Sequence, residues 1–215
     1  VVQKQLTALV TSGATRERID PVRFISNDSS GKQGNAIAAA LAAQGVDVTL
    51  ICGVTTAPIP AGVKVIKAES AEEMLKACEA ALPVDIAICA AAVADWRPEI
   101  IAQSKIKKQA GIDRLTINLV KTPDILSSIS KHKKRPKLVV GFAAETENLL
   151  ENAKAKLASK GCDWILANDV GQGVFNSDEN KVSLLKKTGE VEEWDRMSKA
   201  DVAQRLVKLV LKLEI

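Results

Sequence analysis

Apolar positions along the chain fall alternately into short β-prone runs and longer stretches with helical spacing. Leu6 to Thr11 is a short apolar run ending at Ser12-Gly13, and Val46 to Cys52 and Val63 to Ile66 repeat that signal. Between the first two, Gly34 to Gln44 is almost all Ala, Ile and Leu and is followed by Gly45, which predicts a helix with a glycine stop. Ser70 with Glu73 forms a capping box ahead of a helix over Ala71 to Leu82, and Asp85 to Ala90 reads as a fourth strand. Lys137 to Phe142 predicts a strand, Asn148 to Lys160 a helix closed by Gly161, and Asp163 to Ala167 a strand again. Ser198 caps a last helix, Lys199 to Lys212.

This alternation predicts an α/β fold, a Rossmann-like doubly wound and mostly parallel sheet. Two segments break it. Within Ile106 to Lys121, the run Leu115 to Val120 has period-2 character after the turn-prone Ala110-Gly111, which predicts a β-hairpin or flap, with Gln109 to Arg114 as its mobile part. Lys181 to Asp195 reads as a second hairpin about Thr188-Gly189. No linker rich in Pro, Gly or Ser interrupts the chain, so one domain over residues 1–215 with a β-hairpin excursion is expected.

Composition narrows the chemistry. With 47% hydrophobic and 26% charged residues among 215, the chain has the make-up of a globular protein with a full core. Thirty Lys plus Arg against 26 Asp plus Glu leave +4, which permits an anionic small-molecule ligand without demanding nucleic acid. One His, no Tyr and four Cys at no CxxC spacing argue against a structural zinc site and a Ser-His-Asp machine. A catalyst here would rely on Lys, Asp, Asn and backbone groups. Cys52, Cys78, Cys89 and Cys162 lie in apolar or helical runs and read as buried reduced thiols of a cytoplasmic protein. Val1 to Val10 lacks a signal-type apolar region, and no apolar stretch reaches the roughly 20 residues of a membrane span.

The connection from Gly13 to Gly34 is about twenty residues, against about two to six for most βα loops, and so asks for a functional reason. Its end, Asn27-Asp-Ser-Ser-Gly-Lys-Gln-Gly34, places Ser, Gly and Lys at a helix N-terminus, where amides and the helix dipole stabilise an anion; ordinary capping would use the same residues. After the fourth strand, small residues lead to Asp95, Trp96 and Arg97, either a ligand-facing acid and base or a solvated pair. Lys105-Ile-Lys107-Lys108 gathers three ammonium groups that a polyanion would neutralise, or that protect a strand edge. Phe142 reads as a base-stacking ring or a core residue, and Lys156 with Lys160 as a phosphate-binding helical face or a solvated one. His132, among Lys131 to Arg135, reads as surface charge at a helix C-terminus.

Taken in order, Arg16-Glu-Arg-Ile-Asp20-Pro-Val-Arg23-Phe-Ile-Ser-Asn27, Ser29-Ser-Gly-Lys-Gln-Gly34, Ala91-Ala-Val-Ala-Asp95-Trp-Arg97-Pro98, Lys105-Ile-Lys-Lys108, Gly141-Phe-Ala-Ala-Glu145-Thr and Ala167-Asn-Asp169 resemble the bacterial phosphopantothenoylcysteine synthetase family, over nearly the whole chain. The resemblance implies a ligase of coenzyme A biosynthesis that joins 4′-phosphopantothenate to L-cysteine. The resemblance also implies that CTP activates the acid through an acyl-cytidylate, with Mg²⁺ on the triphosphate. It further implies Asn27 and Lys105 as catalytic residues, and Asp95, Lys105, the segment Pro123, Asp124, Ile125 and Leu126, Phe142, Lys156 and Lys160 as nucleotide contacts. Arg23, Asn27, Ser29, Ser30, Gly31 and Lys32 would hold the acid substrate and its phosphate. A homodimer is implied, as is fusion in many relatives to a flavin-dependent decarboxylase, with no flavin on the synthetase domain itself. Two rival readings stand beside it, the first on the same fold. A nicotinamide-dependent oxidoreductase would want a Tyr and an acid after Ile51-Cys-Gly53, and a nucleic-acid binder would want more than 3% aromatic residues.

Overall fold

The computed structural model describes residues 5–108, 110, 113–145, 147–169 and 179–213. In chain order they form β1 (Thr7–Ser12), β2 (Arg16–Asp20), β3 (Arg23–Ser26), α1 (Lys32–Ala43), β4 (Asp47–Cys52), β5 (Lys64–Lys67), α2 (Ala71–Ala81), β6 (Ile86–Cys89) and β7 (Trp96–Pro98). There follow β8 (Leu119–Lys121), α3 (Ile125–Ser130), β9 (Leu138–Glu145), α4 (Leu149–Lys160), β10 (Trp164–Asp169), β11 (Glu179–Lys186), β12 (Val191–Ser198) and α5 (Lys199–Val210).

The main sheet runs β12-β11-β10-β9-β6-β1-β4-β5. The six strands from β10 to β5 are parallel, and β11 and β12 add antiparallel to the β10 side. Strands covered on both faces read as continuous apolar runs rather than alternating ones, as β1 does. Ala8 and Val10 join the core layer shared with Ile37 and Leu41 of α1 and Leu206 of α5. Leu9 joins the opposite layer, with Met74 of α2, Ile129 of α3 and Ala153 of α4. The chain order reverses between β1 and β6, and in such sheets the crevice beyond the carboxyl ends at that point is where ligands bind.

The helix caps follow the sequence. Ser70 accepts from the Glu73 amide (3.2 Å), Ser198 from the Asp201 amide (3.1 Å), and Gly161 closes α4 in the left-handed region at φ 73°. One capping detail differs from the expected box: the Glu73 carboxylate reaches the Glu69 amide (2.7 Å) rather than that of Ser70. A buried carboxylate from outside the helix, Glu17 of β2, takes the Ala71 amide (2.9 Å).

Two expectations need correction. Residues 106–121 do not fold into a local hairpin among those described; β8 pairs antiparallel with β7, more than twenty residues earlier. Gln109, Gly111 and Ile112 of the expected flap lie outside the described residues. The long first connection is itself structured, because β2 and β3 pair as an antiparallel hairpin. The Asp20 carboxylate makes its turn, accepting from the amides of Val22 (3.0 Å) and Arg23 (2.9 Å) and from Arg23 Nε (3.0 Å). The hairpin at residues 181–195 forms as expected but continues the main sheet, so the excursions from it are β2–β3 and β7–β8.

The inserted hairpin separates Gly13 from Gly31 and Gly34. Gly31, at φ 75°, precedes α1, and a Cβ there would meet Thr55 Oγ1 at 2.3 Å. A Cβ on Gly34 would meet Cβ and Oγ of Ser12 at 2.6 Å, so this glycine sets how closely α1 lies on β1. Gly34→Ala is expected to lower the unfolding free energy by about 1–3 kcal/mol through forced separation of α1 and β1. Urea denaturation reads this directly, and an unchanged midpoint would contradict the packing.

Acid should weaken the fold through carboxylates held below their ordinary range, Asp20 and Glu192 among them. Asp20 is lowered by Arg23 against the opposing effect of burial, with help from the amides of Val22, Ile106 and Arg23. Glu192 is lowered by its bond to Lys186, 2.9 Å away, against burial. A depressed carboxyl contributes stability that is present above its unfolded pKa, about 4, and is lost as pH falls through the folded value. The urea midpoint should therefore be flat from about pH 7 to 5 and fall below about pH 4; a midpoint unchanged down to pH 2 would refute this.

Candidate functional site

At the carboxyl ends of β1, β6 and β9 lies a cavity of about 530 Å³, with Thr11, Cys89 and Phe142 contributed by those three strands. Ala91, Val93, Asp95 and Trp96 come from the segment leaving β6, Lys121 to Leu126 from the run joining β8 to α3, and Lys156 and Lys160 from one face of α4. The close approach of α3 depends on Gly141, where a Cβ would meet Leu126 Cδ2 at 2.5 Å and Ile165 Cδ1 at 2.8 Å.

The wall is cationic with two acids set into it. Asp124 caps α3 by accepting from the Ser127 amide (2.9 Å) and forms an ion pair with Lys160. Burial raises the Asp124 carboxyl, but Lys160, the Ser127 amide and the nearby Lys156 together hold it below its ordinary value. Lys121 and Lys156 supply further positive charge, and Asp95 is exposed at the rim. A lined concavity carrying three ammonium groups is suited to a polyphosphate, and the half-buried Phe142 offers a flat apolar surface beside it.

The segment from Ala90 to Asp95 has no regular structure of its own beyond an isolated bridge to Ala14, yet it is firmly held. Thr11 Oγ1 accepts from the Ala91 amide (3.2 Å) and the buried Thr15 Oγ1 from the Ala94 amide (2.9 Å). Thr122 Oγ1 donates to the Ala94 carbonyl (2.6 Å), and the Thr122 amide donates to the Asp95 carbonyl (3.0 Å). Asn27 Nδ2 donates to the carbonyl of Val93 at 3.0 Å, which sets an exposed Asn27 at the edge of the cavity.

Of the residues singled out from sequence, Asp95, Pro123, Asp124, Ile125, Leu126, Phe142, Lys156 and Lys160 line this one cavity. Ser29, Ser30, Gly31 and Lys32 sit together at the start of α1. There the Ser29 and Ser30 hydroxyls face the amides of Gly31 (3.3 Å) and Lys32 (3.4 Å), and the Ser30 carbonyl is held by Thr55 Oγ1 at 2.7 Å. Lys105 is exposed and stands outside the cavity lining, on the stretch that meets the β2–β3 hairpin. Arg23 is tied to the Asp20 carboxylate through Nε (3.0 Å) and Nη2, and the same Nη2 donates to the Ile106 carbonyl (3.0 Å). Gln33 turns toward β11 and α5, donating to the Lys199 carbonyl at 3.1 Å and accepting from Asn180 at 3.3 Å.

Sequence reasoning missed Thr11, Trp96, Lys121 and Thr122 as parts of the site. Thr122-Pro-Asp124 carried a usable signal, since a Pro followed by a capping Asp marks a helix start facing the crevice. Cys89 also lines the cavity, where burial pushes its thiol far above the ordinary value; burial likewise raises Cys78 to about 12 and Cys162 to about 11. All four cysteines are free. Among the described residues no helix is long and apolar enough to cross a membrane.

Comparison with known proteins places this architecture. The chain is 46% identical over 209 residues to the coenzyme A biosynthesis bifunctional protein CoaBC of Haemophilus influenzae, covering 96% of this chain and 52% of that protein. The chain thus spans about half the length of the curated relatives it matches. A crystal structure of the C-terminal domain of a coenzyme A biosynthesis bifunctional protein CoaBC is 38% identical, with a TM-score of 0.79 over 95% of this chain and 93% of that one. A Cab2 variant solved in complex with phosphopantothenate-cysteine shares the fold at 17% identity, with a TM-score of 0.76 over 96% of this chain and 86% of that one. Residues 3–213 match the family described as the DNA/pantothenate metabolism flavoprotein C-terminal domain, and the chain belongs to that family.

Proposed function

We propose that this domain is a CTP-dependent phosphopantothenate–cysteine ligase, forming 4′-phosphopantothenoylcysteine, CMP and pyrophosphate. The observation that carries the reading is the hydrogen bond from Asn27 to the Val93 carbonyl. It puts one amide side chain between the serine-rich start of α1, suited to a substrate phosphate, and the cation-lined cavity, suited to a triphosphate.

A carboxylate is a poor electrophile, so the acid must first be activated. In the proposed sequence its oxygen attacks the α-phosphorus of CTP, the bond to the β-phosphate oxygen breaks, and pyrophosphate leaves. The amine of cysteine then attacks the acyl carbon and CMP leaves with the bonding pair. Lys121, Lys156 and Lys160 would neutralise the triphosphate, Phe142 would support the base or ribose, and Asp95 would accept from ribose or base donors. Lys160 reaches the phosphates by exchanging its bond with Asp124 for one to the nucleotide. Lys105 stabilises the charge that grows on the transferring phosphate. Asn27, with one amide hydrogen on Val93, keeps its second for the acyl oxygen as charge develops there. Mg²⁺ would arrive with the nucleotide, because it favours phosphate oxygens with one or two carboxylates, and Asp95 and Asp124 are the carboxylates of the cavity. Flavin chemistry is assigned to the separate decarboxylase of fused relatives.

The direct test supplies CTP, phosphopantothenate and Mg²⁺ and follows pyrophosphate, then adds cysteine and follows CMP. Lys105→Gln should abolish pyrophosphate release, and Asn27→Asp should release pyrophosphate while stalling before CMP. A fully active Lys105→Gln protein would remove that residue from the mechanism.

We further propose a cytoplasmic homodimer built on the excursion strands. Exposed large apolar side chains concentrate there: Val22 and Phe24 on the first hairpin, and Trp96, Ile100, Ile101, Leu115 and Leu119 around the second. Ile100 is 81% exposed, an unfavourable state for an isoleucine in water unless another surface covers it. Light scattering should give twice the chain mass of 22.9 kDa, and Ile100→Asp with Leu119→Asp should give the monomer. A monomeric unmodified protein at micromolar concentration would refute the dimer.

A further inference from the structure

Lys105 stands on a stretch without regular secondary structure, so something other than a helix or strand must fix its backbone. Among the described residues, only two hydrogen bonds hold residues 103–108, and both involve Ile106. Its amide donates to Asp20 Oδ2 at 3.1 Å, and its carbonyl accepts from an Arg23 terminal nitrogen at 3.0 Å. The same Asp20 carboxylate pairs with Arg23 and takes the amides of Val22 and Arg23 in the hairpin turn. Its side chain is wholly buried.

A buried carboxylate with this many donors has one geometry, because each lone-pair direction is taken and any shift leaves a buried donor unpaired. Arg23 adds a planar fork spanning the carboxylate and the Ile106 carbonyl, which a lysine ammonium cannot reproduce. The lysine stretch therefore rests on a rigid bracket supplied by the β2–β3 hairpin, and the residue next to Lys105 is gripped on both sides of its peptide.

We propose that Asp20 is a positioning residue for the activation step: with Arg23 it fixes the peptide at Ile106, and so the backbone from which Lys105 reaches the transferring phosphate. This gives the buried acid of the hairpin a role in rate as well as in folding, and it assigns the Arg23 guanidinium to the bracket. The kinetic part rests on the ligase reading; the bracket itself does not.

The test uses the whole chain carrying Asp20→Asn. Pyrophosphate release should slow by roughly 10–100-fold, the scale of loss that misplacing a reacting group produces, with KM for CTP changed less than about 3-fold. CMP release from preformed acyl-cytidylate with cysteine should stay within about 3-fold, since Lys105 serves the first step. General loosening would slow both steps alike. Hydrogen exchange at the Ile106 amide should speed up by about 10-fold or more while exchange in β1 is unchanged. Arg23→Lys, which keeps the charge on Asp20 but removes the fork, should give the same pattern more weakly, and it carries the test if Asp20→Asn does not fold. Normal pyrophosphate release in a variant whose exchange has increased, or equal slowing of both steps, overturns the positioning role. If the unmodified protein releases no pyrophosphate, the ligase reading fails, and exchange alone judges the bracket: unchanged exchange at the Ile106 amide in the Asp20→Asn protein overturns it.

Discussion

Side-chain hydroxyls, together with backbone bonds to Thr11, Gly13 and Thr15, hold the five residues from Ala90 to Ala94 against the end of β1. Thr11 and Thr15 accept two of their amides, Thr122 donates to the Ala94 carbonyl, and the Gly13 carbonyl takes the Ala92 amide at 2.8 Å. Asp95 and Trp96 follow from this segment, and Asn27 hangs on its Val93 carbonyl. Three regions far apart in sequence thus reach one crevice because a short backbone run offers its polar groups sideways. A buried, unpaired peptide group costs about 1–3 kcal/mol, so each threonine contributes placement as well as stability.

The sheet makes that arrangement possible. Reversal of chain order between β1 and β6 opens a gap that no loop crosses by necessity, and the carboxyl ends of β1, β6 and β9 line it. The inserted hairpin uses the gap without disturbing the packing beneath, since Gly34 still seats α1 on Ser12 and Gly31 still turns the chain into the helix. Inverted polarity marks that hairpin: it buries Glu17 and Asp20 and exposes Val22 and Phe24, with the Arg16 guanidinium 4.3 Å from the Phe24 ring centre.

That inversion explains what could be read from the residues alone. The strands β1, β4, β6, β9 and β10 were legible because both faces are apolar, and the helices because Ser70, Ser198 and Gly161 end or begin them by ordinary capping chemistry. The β2–β3 hairpin gives no apolar alternation, since its inward groups are acids satisfied by an arginine and by amides elsewhere, so pattern reading passes over it. The pairing of β7 with β8 joins two three-residue strands across a long loop, a contact that no local window contains. For the site, the motif residues around Asp95, Pro123 and Phe142 carried their own signal. Lys121 did not, because its importance comes from where β8 lands after that distant pairing.

The start of α1 and the cavity are set on one stiff sheet, the first over β1 and the second reaching from β1 across β6 to β9. Neighbouring strands are spaced by about 4.8 Å, and hydrogen bonds along their whole length resist any change in that spacing. Under the proposed ligase function the sheet would act as a ruler: it would compare a ligand's span between its anionic tail and its reacting head with a fixed interval. An acid too short for the interval would occupy either end without bridging both, so selection would fall on molecular length before any contact with the head group.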